Sequence, residues 1–245
     1  MESHFLAVTS ENLKLHRTEA YYYEVQHPEI FNMKEQTRIR TELDNLKVQP
    51  GVCLDIGSGT GNLVRHLNNI GLSTVACDLS RDMLKHNKAM YKIVCEAGHL
   101  PFKDSLFKMV TTYSVFHHLP QPTRVLDEVC RVTTNNSVLF FDHDFGPADK
   151  KLTKIRRSQT YLPGYFAWLF VHPKSLLRLS VYVVYGRRKH VQNLRRVNLK
   201  LTDGNPSSIE SVKEQLLHNG FSVEIVDHEA TKLLRAWRRA CVGFT

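Results

Sequence analysis

Two short runs hold the side chains best suited to moving a proton: His117-His118 and Asp142-His143-Asp144. Each ends an apolar stretch, Met109 to Phe116 in the first case and Val138 to Phe141 in the second. Imidazole titrates near neutrality, so His118 and His143 are candidate general bases for an acceptor that holds its proton at neutral pH. If the second run stays extended, Asp142 and Asp144 share one face and His143 points to the other. Two such carboxylates can orient a Mg²⁺ ion, but polar residues capping a strand are the simpler reading, and no metal is expected.

The segment that must position these groups is Leu54 to Gly61, LDIGSGTG. It follows Val52 and Cys53 and precedes Leu63, Val64, Leu67 and Ile70 at helical spacing, the pattern of a strand, a turn and a helix. Gly57, Gly59 and Gly61 let the chain turn sharply and bring backbone N–H groups to a ligand that a Cβ would push away. Asp55 then stands at the carboxyl end of the strand, where open α/β sheets bind ligands. Dinucleotide enzymes use a similar glycine spacing, so the loop alone does not fix the ligand. Further on, Asp78 ends a second apolar segment, Ser73 to Cys77, and is placed to take two ribose hydroxyls. A third, Lys92 to Cys95, runs into Glu96-Ala97, and Val125, Leu126, Val129 and Val132 are spaced as a helix face. Alternating strands and helices predict an α/β fold: a Rossmann-like sheet with helices on both faces.

This order resembles the class I S-adenosylmethionine-dependent methyltransferases, most closely the group containing the ubiquinone/menaquinone C-methyltransferases and many small-molecule methyltransferases. The resemblance covers Val52 to about Asp144. It implies S-adenosyl-L-methionine as cofactor, with Asp55, Gly57, Ser58, Gly59 and Gly61 around its methionine part and Asp78 with Leu79 at the ribose. Glu96, where aspartate is commoner, would face the adenine amino group beside Ala97, and Tyr113 and Ser114 would lie near the amino-acid end. The resemblance also points to scaffolding or cofactor contact for His-His-Leu-Pro. Two positions depart from the family pattern. Phe107-Lys108 stands where Phe-Asp is frequent, and Thr134-Asn135-Asn136-Ser137 replaces a Lys-Pro-Gly-Gly turn. Asparagine tolerates left-handed backbone, so that turn can still form.

The chain has 245 residues, enough to bury one substantial core, and a single elaborated domain is expected. Four regions are expected within it: an N-terminal helical cover over 1–50, a cofactor-binding core over 51–145, a substrate-lid insertion over 146–205, and a C-terminal helix and strands over 206–245. In the first, Asn32 and Glu35 make a capping-box-like start for a helix with Ile39, Leu43 and Leu46 on one stripe. Upstream, Tyr21-Tyr22-Tyr23 either packs on the sheet edge or places a ring over the site. In the last, Ser207 as N-cap with Glu210 at N3 starts a helix that Gly220 ends. Phe221 to Val226 follows as a strand, and Ala240 to Phe244 can supply another.

The formal charge of +9 is unevenly placed. Residues 1 to 145 carry 15 Lys+Arg against 17 Asp+Glu, and residues 146 to 245 carry 18 against 7. The insertion is aromatic between Tyr161 and Tyr185 and is flanked by Lys150, Lys151, Lys154, Arg156 and Arg157 on one side and by Arg187, Arg188, Lys189, Arg195 and Arg196 on the other. Pro163, His172, Pro173, Lys174 and Arg178 interrupt it, so it does not read as a membrane span. It fits helices lying on an anionic bilayer or closing over a lipophilic substrate, or equally an ordinary lid with a solvated basic face. The five cysteines show no CxxC pair and read as small buried hydrophobes of a reducing compartment. A cytoplasmic methyltransferase acting on a small or lipophilic molecule at oxygen, carbon or nitrogen is therefore expected, with an anionic membrane as one of the partners open to the basic insertion. An RNA methyltransferase is the first alternative, although no RNA-binding module is recognisable. A non-catalytic methyltransferase-fold adaptor is the second.

Overall fold

The computed structural model describes residue 10 and residues 13–14, 16–17, 20–21, 23–119, 121–145, 208–228 and 231–238. The expected lid insertion and the strand at Ala240 to Phe244 lie outside the described residues. From residue 23 the described residues form helices α1 (Tyr23–Gln26), α2 (Pro28–Phe31) and α3 (Met33–Asn45). Asn32 caps α3 as its spacing predicts, its side-chain oxygen accepting from the Glu35 N–H at 3.0 Å.

Strands and helices then alternate: β1 (Gly51–Ile56), α4 (Val64–Asn69), β2 (Leu72–Asp78), α5 (Arg81–Leu84), β3 (Tyr91–Val94), β4 (Phe107–Tyr113), a 3₁₀ turn (Phe116–His118), α6 (Pro122–Val132) and β5 (Thr133–Phe145). The remaining described elements are α7 (Ile209–His218), β6 (Phe221–Asp227) and β7 (Lys232–Arg238). These strands form one sheet in the order β3-β2-β1-β4-β5-β7-β6, parallel except for β7, which is antiparallel to both neighbours. The Rossmann-like sheet expected from the alternation is the fold observed.

Both faces of the sheet are buried, which is why its central strands read as nearly continuous apolar runs. On one face Phe107, Val110, Leu139 and Phe141 meet Leu126 and Val129 of α6 and Val212 and Leu216 of α7. On the other, Cys53, Met109 and Phe140 meet Ile39 and Leu43 of α3 and Leu67 of α4. The aliphatic stem of Lys108 lies against Gly51, where a Cβ would come within 2.7 Å of Lys108 Cγ.

Two local expectations are corrected. The α7 cap is Ser208, not Ser207: its hydroxyl accepts from the Ser211 N–H, which places Glu210 at N2. The second correction is that β5 does not stay extended. His143 is left-handed at φ 62°, and the register with β7 shifts between Phe141 and Phe145. That turn sends Asp142 and Asp144 to separate partners. Asp142 meets Arg38 of α3, whereas Asp144 accepts from the Thr112 hydroxyl at 3.1 Å and from the backbone N–H groups of Val115 and Phe116. At the start of β5 the asparagine turn forms as expected, with Asn136 at φ 62°. β6 pairs antiparallel with β7, a strand that was not expected from the sequence.

Candidate functional site

In an open parallel sheet the strand order reverses where successive crossovers run to opposite sides. Here that point is between β1 and β4, and the crevice at their carboxyl ends is the natural ligand site. A cavity lies there. Its wall includes Gly57, Gly59, Asp78, Leu79, Glu96, Ala97, Tyr113, Ser114 and His118, all expected from the sequence. Leu13, His16 and Tyr23 of the N-terminal segment also line it, so one of the three tyrosines does lie over the site. A smaller cavity beside the glycine turn is lined by Asp55, Gly57, Ser58, Gly59, Thr60, Asn62 and Tyr113, among others. Gly61 and His143 line neither.

The turn works as its glycines predict, at two positions above all. Gly57 sits at φ 64°, and a Cβ there would fall 2.4 Å from Val115 Cγ2. Gly61, at φ 92°, leaves room for Asn87, whose amide would lie 3.0 Å from an added Cβ. Asn87 Nδ2 in turn donates to Ser58 Oγ at 2.8 Å and to the Gly59 carbonyl at 3.1 Å, clamping the turn from below. Gly61 thus serves the shape of the loop and not its lining.

Asp78 fastens the same turn from the β2 side. Its Oδ2 accepts from the Gly59 N–H at 2.8 Å and its Oδ1 from the Ser80 N–H at 2.7 Å. A carboxylate has about four acceptor sites, so two remain for a ligand. Burial raises its pKa, opposed by those backbone donors and by the nearby His16. Asp55 is buried to 2% exposure and accepts from the Thr111 hydroxyl at 2.7 Å. Burial pushes its carboxyl up to about 6 against hydrogen bonds from Ser58 and Thr111. Glu96 accepts from the Gly98 N–H at 3.2 Å and pairs with His99 Nδ1 at 2.6 Å.

The two candidate bases have different surroundings. His118 faces the main cavity edge-on to His16, with ring centroids 5.4 Å apart. Burial holds its pKa well below the ordinary imidazole value, and His117, His16 and His27 lower it further. The same burial that favours its neutral form also weakens it as a base. His143 instead stacks on the Tyr113 ring, 5.1 Å between centroids and 10° from parallel.

What sequence reasoning missed is the polar network behind Tyr113. The Tyr113 hydroxyl donates to Glu35 Oε1 at 2.8 Å. Arg38 donates to Glu35 from Nε at 2.9 Å and from Nη2 at 2.5 Å, and Nη2 also reaches Asp142 Oδ2 at 2.6 Å. Burial raises Glu35, but Arg38 and Tyr113 outweigh it and the net shift is downward. Asp142, more deeply buried, is pushed up to about 6 despite Arg38. The signal in the sequence was a Glu and an Arg at i, i+3 close to the apolar stripe of α3.

Comparison with known proteins agrees with this geometry. Residues 54–141 match the family described as "Methyltransferase domain". A demethylmenaquinone methyltransferase of Paenarthrobacter aurescens is 34% identical over 100 residues, 39% of this chain and 39% of that protein. A malonyl-[acyl-carrier protein] O-methyltransferase of Geobacter sulfurreducens is 31% identical over 103 residues, 38% of this chain and 39% of that protein. The matched stretch thus spans well under half the length of these curated relatives. A crystal structure of a Thermotoga maritima SAM-dependent methyltransferase, described as a possible histamine N-methyltransferase, superposes with a TM-score of 0.56 at 14% identity, covering 92% of this chain and 99% of that one. The strand order, the glycine turn at the switch point and these likenesses together show the class I S-adenosylmethionine-dependent methyltransferase fold, with residues 54–141 similar in sequence to the matched family.

Proposed function

We propose that the chain is an S-adenosylmethionine-dependent methyltransferase acting on a small, lipophilic acceptor. The observation that carries this reading is the Asp78 carboxylate, fixed by the glycine turn with two acceptor positions left over in a cavity at the switch point. The residues present fit the cofactor. Asp78 suits the ribose diol, and Glu96 beside Ala97, with Leu79 and Met83 nearby, suits the adenine. Thr60 Oγ1 and Asn62 Nδ2, buried donors without a protein hydrogen-bond partner, face the amino-acid side with the turn.

When bound, S-adenosylmethionine supplies an electrophilic methyl group on its sulfonium. The chain's own residues have the remaining work of aligning an acceptor and excluding water. Leu13, Val115 and Leu119 give the cavity an apolar wall, which favours a lipophilic acceptor of the demethylmenaquinone kind over a polar metabolite. His118, by its place in the cavity wall, is the residue we assign to take the acceptor's proton, if the acceptor has one to lose. A cytoplasmic protein touching an anionic membrane through its basic C-terminal part fits such a substrate, and among the described residues no helix is long and apolar enough to cross a membrane.

The test is turnover of methyl-labelled S-adenosylmethionine with three separate acceptor pools: a lipid and quinone extract, polar metabolites, and total RNA. Label is expected in the lipid pool. Label in the RNA pool would make the basic half a nucleic-acid surface instead, and label in none would favour a non-catalytic binding protein.

A further inference from the structure

We propose that Glu35 and Arg38, on the N-terminal helix α3, are positioning residues of the cofactor site and act through Tyr113. This inference rests on the cofactor reading of the same cavity. Tyr113 lines both cavities, as Tyr23 does, and its hydroxyl is tied outside them to Glu35. Its ring cannot tilt one way because His143 is stacked flat against it. Its hydroxyl is held from the other side by Glu35, and Glu35 cannot turn away because Arg38 grips both carboxylate oxygens.

Arg38 is in turn anchored to Asp142 at the end of β5. The left-handed turn at His143 serves this arrangement, because it directs Asp142 to Arg38 and leaves His143 over the tyrosine ring. The ring between the two halves of the cofactor space is thus fixed by a helix that itself supplies no side chain to either cavity wall. Cofactor affinity should therefore respond to residues on α3 that never touch the ligand.

The experiment measures S-adenosylhomocysteine affinity by calorimetry on the full chain, with urea unfolding of each variant alongside. Glu35→Gln and Tyr113→Phe should each weaken binding about threefold to tenfold, and the double variant should be no weaker than the worse single one. Tyrosine-selective NMR adds a spectroscopic readout: the Tyr113 ring signal, identified by its loss in Tyr113→Phe, should be sharp in the parent and broadened in Glu35→Gln. Arg235→Leu is the control. It frees the Glu42 end of the same helix, so it should lower stability while leaving affinity within about twofold.

Unchanged affinity and an unchanged ring signal in Glu35→Gln, with stability lowered, would make the network merely structural and overturn the proposal. Equal weakening by Arg235→Leu would overturn it too, because general docking of α3 would then suffice. A parent protein that binds no S-adenosylhomocysteine would remove the cofactor reading itself, and the inference with it.

Discussion

Replacing Asp78 with alanine should weaken S-adenosylhomocysteine binding by at least about 100-fold. Two losses combine. The Gly59 and Ser80 N–H groups lose their shared acceptor, so the turn is no longer held in its binding shape. The ribose also loses both of its expected acceptors, and hydrogen bonds to a charged group are the stronger kind. Stability should fall much less than affinity, because burial already disfavours the charged carboxylate in the ligand-free protein. Asp78→Asn should lie between, since an amide oxygen can accept one backbone bond while its NH₂ group confronts the other donor. Calorimetry on the three proteins checks this, and an affinity for Asp78→Ala within about threefold of the parent would contradict it.

Arg38→Met should destabilise the fold by about 3–5 kcal/mol at pH 8. The guanidinium and its partners are nearly dry: the side-chain exposures are 17% for Arg38, 15% for Glu35 and 0% for Asp142. Methionine fills much of the volume but strands two carboxylates in a low-dielectric site. The sign of the pH dependence follows. Without Arg38 both folded-state pKa values rise above their unfolded values, so the folded variant binds protons more readily than the unfolded chain. Its deficit should shrink as pH falls from 8 towards 5, as the stranded groups become neutral. Urea unfolding of variant and parent across that range is the measurement. A loss below about 1 kcal/mol, or one independent of pH, would mean that the three groups are solvated and their contacts weak.

The parts of this molecule that were legible in the sequence are those written in adjacent residues. LDIGSGTG specifies a strand, a turn needing positive φ and a helix within one stretch of chain, so the lining by Gly57 and Gly59 followed from local pattern, and the place of Asp78 from the apolar run that it ends; its grip on the Gly59 N–H did not. Asn32 with Glu35 gave the start of α3 for the same reason. Legibility ended where the partners are remote. Arg38 and Asp142 are 104 residues apart, and nothing near either one announces the other.

The left-handed His143 was hidden because a histidine ending an apolar run looks like any other strand residue, and only the pull of Arg38 on one side and the Val115 and Phe116 N–H groups on the other distinguishes it. β7 was not read from the sequence, where Lys232, Arg235 and Arg238 break up its apolar residues. In the fold Arg235 pairs with Glu42 and Glu224, and Arg238 donates to the Cys130 and Thr133 carbonyls. Two successive serines left the α7 cap ambiguous by one residue, and only the Ser208 hydroxyl reaches the Ser211 N–H.

The central claim is that the cavity at the β1/β4 switch point is a cofactor site, and saturation binding of S-adenosylmethionine to the full-length chain tests it most directly. One molecule should bind per chain, in competition with S-adenosylhomocysteine, and a Gly57→Val variant should show none, because its side chain would meet Val115 where the backbone already needs φ 64°. Absence of saturable binding to the parent, or equal binding to Gly57→Val, would contradict the account.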